Sequence, residues 1–154
     1  MAYGNGATVK NLATSGTYTL YAKWTANTYT IKFNGNGNTG GSTANKTCTY
    51  NANCVLTSNG FSRTNYEFRG WATSSGGSVA YGNGATVKNL ATSGTYTLYA
   101  KWTANGYTIK FNGNGNTGGS TANKSCTYDQ NCVLTSNGFT KTGYSFTGWA
   151  TSSG

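Results

Sequence analysis

Apolar side chains recur at every second position in two stretches of this chain, and a period of two predicts strands. Tyr29, Ile31 and Phe33 share one face of the first stretch, with Thr28, Thr30 and Lys32 on the other. Tyr96, Leu98, Ala100 and Trp102 alternate with Thr97, Tyr99 and Lys101 in the second. Shorter strands are expected at 46–50, 54–57, 66–71 and 86–90. Between them stand Asn-Gly pairs beginning at Asn34, Asn36, Asn59 and Asn83, residues that enter the left-handed region cheaply. No segment sustains a helical period, and one short helical turn near 56–63 is the most the pattern allows. Strict alternation over 66–71 puts Tyr66, Phe68 and Gly70 on one face and Glu67, Arg69 and Trp71 on the other. Trp71 is therefore expected half exposed, at a junction between domains.

The pattern repeats. Ala2-Tyr3-Gly4-Asn5-Gly6 returns as Ala80-Tyr81-Gly82-Asn83-Gly84, an offset of 78 residues. Over the 75 aligned positions nine differ: Thr28/Gly106, Thr47/Ser125, Asn51/Asp129, Ala52/Gln130, Ser62/Thr140, Arg63/Lys141, Asn65/Gly143, Glu67/Ser145 and Arg69/Thr147. Apart from the exchange at Ala52, the apolar and aromatic positions are the same in both copies, so the chain is a tandem array. A 78-residue unit is domain-sized, longer than the repeats of a solenoid.

Composition narrows the class. Gly, Asn, Thr and Ser make up 85 of the 154 residues, leaving too few Ala, Leu, Glu and Gln for a helical bundle. No proline is present, which excludes collagen. No apolar run approaches the ~20 residues of a membrane span, so membrane insertion is not expected. Disorder is opposed by 4 Trp, 12 Tyr and 6 Phe, enough to bury a core. The net charge of +9 comes from having only two acids, not from basic clusters. Lysines and arginines fall one per strand or turn, the pattern of solvated charge; nucleic-acid binding would concentrate them on one face. Weak attraction to glycans or anionic polymers is the most this diffuse field supports.

Four cysteines offer the first candidate chemistry: Cys48 with Cys54, and Cys126 with Cys132. A zinc site wants closer spacing and further ligands, and the chain has no histidine. A disulfide within each repeat is the better reading. It closes a loop of about seven residues, worth about 2 kcal/mol, and implies an oxidising compartment. Gly35-Asn36-Gly37-Asn38-Thr39-Gly40 spells G-x-G-x-x-G after a strand. A second glycine and another strand follow it where a phosphate site needs a helix N-terminus, so it reads as a loop. Glu67 and Asp129 are the only carboxylates, and neither is matched in the other copy. General acid–base catalysis, calcium binding and acid-assisted Lys–Asn crosslinking all lack their parts. No enzyme activity, cofactor or metal is expected. Trp71, Trp149, Arg69 and Lys101 remain as a candidate ligand or junction surface, against the simpler reading that the tryptophans are core.

Three motifs carry a family resemblance. Tyr29-Thr30-Ile31-Lys32-Phe33-Asn34 runs into a glycine-rich turn; Thr142-Gly143-Tyr144-Ser145-Phe146-Thr147-Gly148-Trp149 fits T-G-Y-x-F-x-G-W, with a looser copy at 64–71; and Thr97-Leu98-Tyr99-Ala100-Lys101-Trp102 closes the unit. In that order they resemble the Listeria–Bacteroides repeat, also called the internalin-type B repeat. The resemblance spans nearly the whole chain. It implies small β-grasp-like, all-β domains strung along surface proteins of mostly Gram-positive bacteria, and hence an extracellular segment excised from a longer secreted protein. The cysteine pair, the scarcity of acids and the proline-free middle depart from the family pattern. In a bacterial protein Asn45-Lys46-Thr47 and Asn123-Lys124-Ser125 match the glycosylation pattern by chance.

The family phase divides the chain into the last third of a repeat (1–27), one complete repeat (28–104) and the first two-thirds of another (105–154). Residues 1–27 hold the closing strand, with Thr17, Tyr18, Leu20, Ala22 and Trp24, that the opening strand of the last segment, with Tyr107, Ile109 and Phe111, needs. Two outcomes follow: head-to-tail assembly into a filament, or a closed, circularly permuted monomer. An unpaired edge with an apolar face is a template for strand addition, and assembly is preferred over closure because tandem surface repeats tend to be elongated. The expected role is a stalk or spacer. The alternatives are an adhesion module using Trp and Lys surfaces, and an engineered permuted array.

Overall fold

The computed structural model describes residues 1–153, and those residues form strands, turns and bends without a helix. Eight strands lie within the middle repeat. They are β1 (Thr28–Asn34), β2 (Gly40–Gly41), β3 (Lys46–Thr49), β4 (Cys54–Val55), β5 (Phe61–Ser62), β6 (Tyr66–Ala72), β7 (Thr86–Val87) and β8 (Gly94–Ala104). The four longest make one sheet in the order β3-β1-β8-β6. β1 and β8 run parallel in its centre, with β3 and β6 antiparallel on either side. The all-β class expected from the sequence is what the chain adopts. Two short ladders, β2 with β5 and β4 with β7, complete the repeat.

The alternating positions of β1 and β8 build the core. Tyr29, Ile31 and Phe33 are buried on one strand, Leu98 and Ala100 on the other, with Leu56, Val87 and the Cys48–Cys54 pair packed against them. The expected helical turn near 56–63 is absent; that stretch is extended and contains β5. Asn59 explains why. Its side chain accepts from the Phe61 amide and donates to the Phe61 carbonyl, both at 3.0 Å, and its own amide donates to Asn83 Oδ1 at 2.7 Å. Local bonds of this kind compete with helix formation.

Trp71 also departs from its expected place. It is fully buried, not half exposed. Phe68 stands opposite Trp102, but Gly70 stands opposite Lys101, so Arg69 is an extra residue in the ladder. This bulge resets the alternation and puts Trp71 on the same side as Phe68. The rings of Phe33, Phe68 and Phe61 then surround it at 4.6, 5.0 and 6.4 Å. Gly70 is required here. Its φ is +144°, and a Cβ would lie 2.6 Å from Val79 Cγ1 and 2.7 Å from the Tyr81 carbonyl oxygen. That close approach lets Trp71 N donate to Tyr81 O at 2.7 Å.

Beyond Asn105 come β9 (Gly106–Ile109), β10 (Gly118–Gly119), β11 (Lys124–Thr127) and β12 (Phe139–Thr140). β9 pairs with β11, and β10 with β12, in the registers that β1/β3 and β2/β5 use. No strand is formed by residues 1–27 or 141–153. Thr17, Tyr18, Leu20, Ala22 and Trp24, expected as a strand, are exposed and unpaired.

Candidate assembly site

The most unusual surface among the described residues lies beside β9 in the second copy. A groove of about 860 Å³ opens there, lined by Ile109, Phe111, Leu134, Phe139, Phe146 and Trp149 among others. One wall continues from β9; the other is the 144–150 segment, whose counterpart in the middle repeat is β6. In that repeat the same space holds Leu98, Ala100 and the rest of β8.

The aromatic rings that line it keep the spacing seen in the middle repeat. Trp149 lies 4.6 Å from Phe111, 4.9 Å from Phe146 and 6.2 Å from Phe139. These distances reproduce those around Trp71 to within 0.2 Å. What changes is exposure. Tyr107 is 48% exposed where Tyr29 is 2%, and Leu134 is 46% exposed where Leu56 is 2%. Two bonding groups are also left over. Asn36 donates to Ser75 O and to Ala100 O on β8, whereas Asn114 keeps only its bond to Ser153 O. Gly35 O accepts from Trp102 Nε1 at 2.8 Å; among the described residues Gly113 has no such donor.

The candidate ligand surface does not assemble. Trp71 is inside the core, and Trp149 is half-buried in its aromatic cluster. Arg69 is exposed and paired with Glu67 at 3.2 Å, and Lys101 lies on β8 opposite Gly70. The G-x-G-x-x-G stretch is a turn held by Asn36, whose φ is +48°. Cys48–Cys54 and Cys126–Cys132 are disulfides, each with a Cα separation of 5.7 Å. Among the described residues no three His, Cys, Asp or Glu side chains cluster as a metal site, and no helix is long and apolar enough to cross a membrane.

One feature escaped the sequence reading: the joint between the copies. A single residue, Asn105, separates β8 from β9. Its amide donates to Asn65 O at 2.9 Å, and its carbonyl accepts from Tyr128 N at 2.8 Å. Beside it Tyr66 stacks edge-on against Tyr128 at 5.8 Å and donates to Asp129 Oδ2 at 2.9 Å, while Arg63 caps the Tyr66 ring at 3.9 Å. The bond to the Asp129 carboxylate holds the Tyr66 phenol above its ordinary pKa. Slight desolvation and the Asp129 charge add to this, and Arg63 opposes it. Asp129 replaces Asn51 of the first copy, and Gly106, Arg63 and Asn65 at the joint are also positions where the copies differ; those exchanges were the signal available.

Comparison with known proteins agrees with the motifs. The family model described as the Listeria-Bacteroides repeat domain matches residues 29–101 and 107–154. A protein of Evansella cellulosilytica named "Putative Gly-rich membrane protein" is 34% identical over 101 residues, 66% of this chain. The match spans 11% of that relative's length. No solved structure matches the chain.

Proposed function

We propose, on the premise that this chain belongs to the Listeria-Bacteroides repeat family, that it is a stalk or spacer segment of a bacterial surface protein. The family is one of surface-type proteins, and the relative's name places that protein at a membrane. The observation that carries the reading is the joint at Asn105. One residue, bonded through both its amide and its carbonyl, links successive repeats without a flexible linker. Such a joint transmits orientation from one repeat to the next, which a spacer needs and a catalyst does not. The disulfides fit an extracellular location. End-to-end association of copies belongs to the same reading.

The reading assigns no catalysis, since the chain has no histidine and its two acids, Glu67 and Asp129, stand apart in sequence and in role. The rival adhesion module loses Trp71 as a contact residue, because a buried ring cannot stack on a sugar. Small-angle scattering and glycan-array binding decide between them. A spacer gives an elongated particle with no saturable glycan signal. A compact particle, or a signal abolished by Trp149→Ala, sinks the spacer.

A further inference from the structure

We propose that Tyr66 and Tyr128 form an oxidative crosslinking site, where peroxide joins the two rings by a carbon–carbon bond and so locks the middle repeat to the second copy. The rings stand edge to face with their centroids 5.8 Å apart. Tyr66 donates its phenol proton to Asp129 Oδ2 at 2.9 Å. The chain has twelve tyrosines but only two acids, and among the described residues no other tyrosine hydroxyl bonds to a carboxylate. The backbone around the pair is held: Asn105 N donates to Asn65 O, next to Tyr66, and Tyr128 N donates to Asn105 O. The side chains are freer. Tyr66 is half-buried and Tyr128 is 38% exposed, so a small oxidant reaches both. Each ring turns about only two side-chain torsions, and fixed backbones keep the two edges within reach of one another. Tyr50, the copy of Tyr128, is exposed to the same extent, but Asn51 follows it where Asp129 follows Tyr128.

A phenol gives up an electron readily when its proton leaves at the same time. At Tyr66 the Asp129 carboxylate is placed to take that proton, so Tyr66 is oxidised first. The unpaired electron spreads to the ring carbons beside the C–O carbon. Tyr128 then loses an electron and a proton in turn, and one such carbon from each ring forms the new bond. Each ring passes the hydrogen of that carbon to its oxygen and is a phenol again. In total, two C–H bonds and the O–O bond of hydrogen peroxide break, and one C–C bond and two O–H bonds form. The tyrosines lose two electrons, the peroxide gains them, and two waters leave. The oxidant is a peroxide activated by a peroxidase, in the same oxidising surroundings that the disulfides imply. Without the bond, the side chains at this joint are held by one ring contact, one hydrogen bond and one cation over a ring, each individually weak. With it, the joint is covalent. This goes beyond the spacer reading and stands on the geometry of the joint alone.

The test treats the full chain, at low concentration, with peroxidase and hydrogen peroxide. Trypsin then releases Tyr66 in peptide 64–69 and Tyr128 in peptide 125–141, each the only tyrosine of its peptide. The Cys126–Cys132 disulfide closes within the second peptide and links nothing else. Mass spectrometry should find the two peptides joined and lighter than their sum by two hydrogens, from a chain still at its monomer mass of 16.1 kDa. Tyr66→Phe and Tyr128→Phe should each abolish the joined species. Asp129→Asn keeps both rings and should slow the joining by roughly 10-fold or more. That variant carries the residue the first copy already accommodates, so it reports on the site even if a phenylalanine variant fails to fold. Peroxide consumed without joined 64–69 and 125–141 peptides overturns the crosslink, and so do tyrosines joined only between separate chains. Asp129→Asn crosslinking at the wild-type rate overturns the site as a carboxylate-assisted one. The spacer reading falls separately, on particle shape and glycan binding.

Discussion

Leu98 and Leu20 occupy the same place in the same sequence, T-Y-T-L-Y-A-K-W, yet one is sealed in a core and the other faces water. Likewise Trp102 is partly buried against the core where Trp24 is 90% exposed, and Tyr29 is buried where Tyr107 is 48% exposed. Local sequence therefore does not decide whether this segment becomes a strand. Its neighbours do. β8 is central, bonded to β1 on one side and β6 on the other, and residues 17–24 have neither. A strand alone satisfies none of its backbone groups and buries one apolar face against nothing, so it gains too little to offset the ordering of its chain. The aromatic cluster behaves differently. Phe111, Phe139, Phe146 and Trp149 hold the same spacing in the open copy as in the closed one, because ring contacts are made between the two walls and not through the missing strand.

The largest break in this comparison comes from removing the ring at its centre. Trp71→Ala deletes a fully buried side chain in contact with three phenylalanines, and should destabilise the middle repeat by about 4 kcal/mol. Trp149→Ala removes a half-buried ring from the open copy and should cost the monomer well under half of that. Denaturant titrations of the two variants measure the difference. Equal effects would mean that the copies are equally closed in solution.

Gly70 and Gly148 sharpen it next. Both have left-handed φ values, +144° and +151°, but only Gly70 has Val79 and Tyr81 against it. Alanine at 148 meets backbone strain alone, on the order of 1–2 kcal/mol. Alanine at 70 adds a collision with the Tyr81 carbonyl, which must break the Trp71–Tyr81 bonding, and should cost about 3 kcal/mol or more.

The bulge at Arg69 also marks where sequence reading stops. Alternation predicts β1 and β8 correctly because every residue of those ladders has one partner. Over 66–72 it fails by one residue, and one residue is enough to turn Trp71 from junction surface to core. The sign was visible: a glycine inside a strand commonly marks a bulge or a close backbone approach. The missing helical turn failed for a different reason, since Asn59 bonds to a chain segment 24 residues away that no local pattern reveals. The repeat itself was legible from the 78-residue offset, and the family model matches both copies. That the rings of the second copy hold the spacing of the first was not, because it depends on contacts between walls distant in sequence.

The disulfides rank third. Reduction, or Cys48→Ser with Cys54→Ser, should lower the stability of the middle repeat by about 2 kcal/mol without dissolving the fold. Both of its cysteines are buried in the core, whereas Cys132 in the open copy is only half-buried. Melting of the Cys126/Cys132 double variant should therefore fall less. Unfolding of the whole chain on reduction would show that the aromatic core cannot stand alone.

The smallest effect lies at the joint, where the two copies differ by design of their own sequence: Asp129 follows the second opening strands and Asn51 the first. The Tyr66 phenol donates to the Asp129 carboxylate and so titrates above 10.0, its ordinary value. The folded state holds this proton more tightly than the unfolded chain does. Its contribution is therefore complete below pH 10 and is lost as pH rises through the raised value, when phenolate would face carboxylate. The group is exposed, so the effect on global stability is slight and the signal to follow is spectroscopic. In an absorbance titration of the tyrosines, the difference between wild type and Tyr66→Phe isolates one phenol titrating later than an ordinary tyrosine. Asp129→Asn restores the residue of the first copy and should bring that titration back toward 10, with the melting temperature nearly unchanged. A Tyr66 that titrates identically in wild type and Asp129→Asn would mean that this bond does not help to hold the joint in solution.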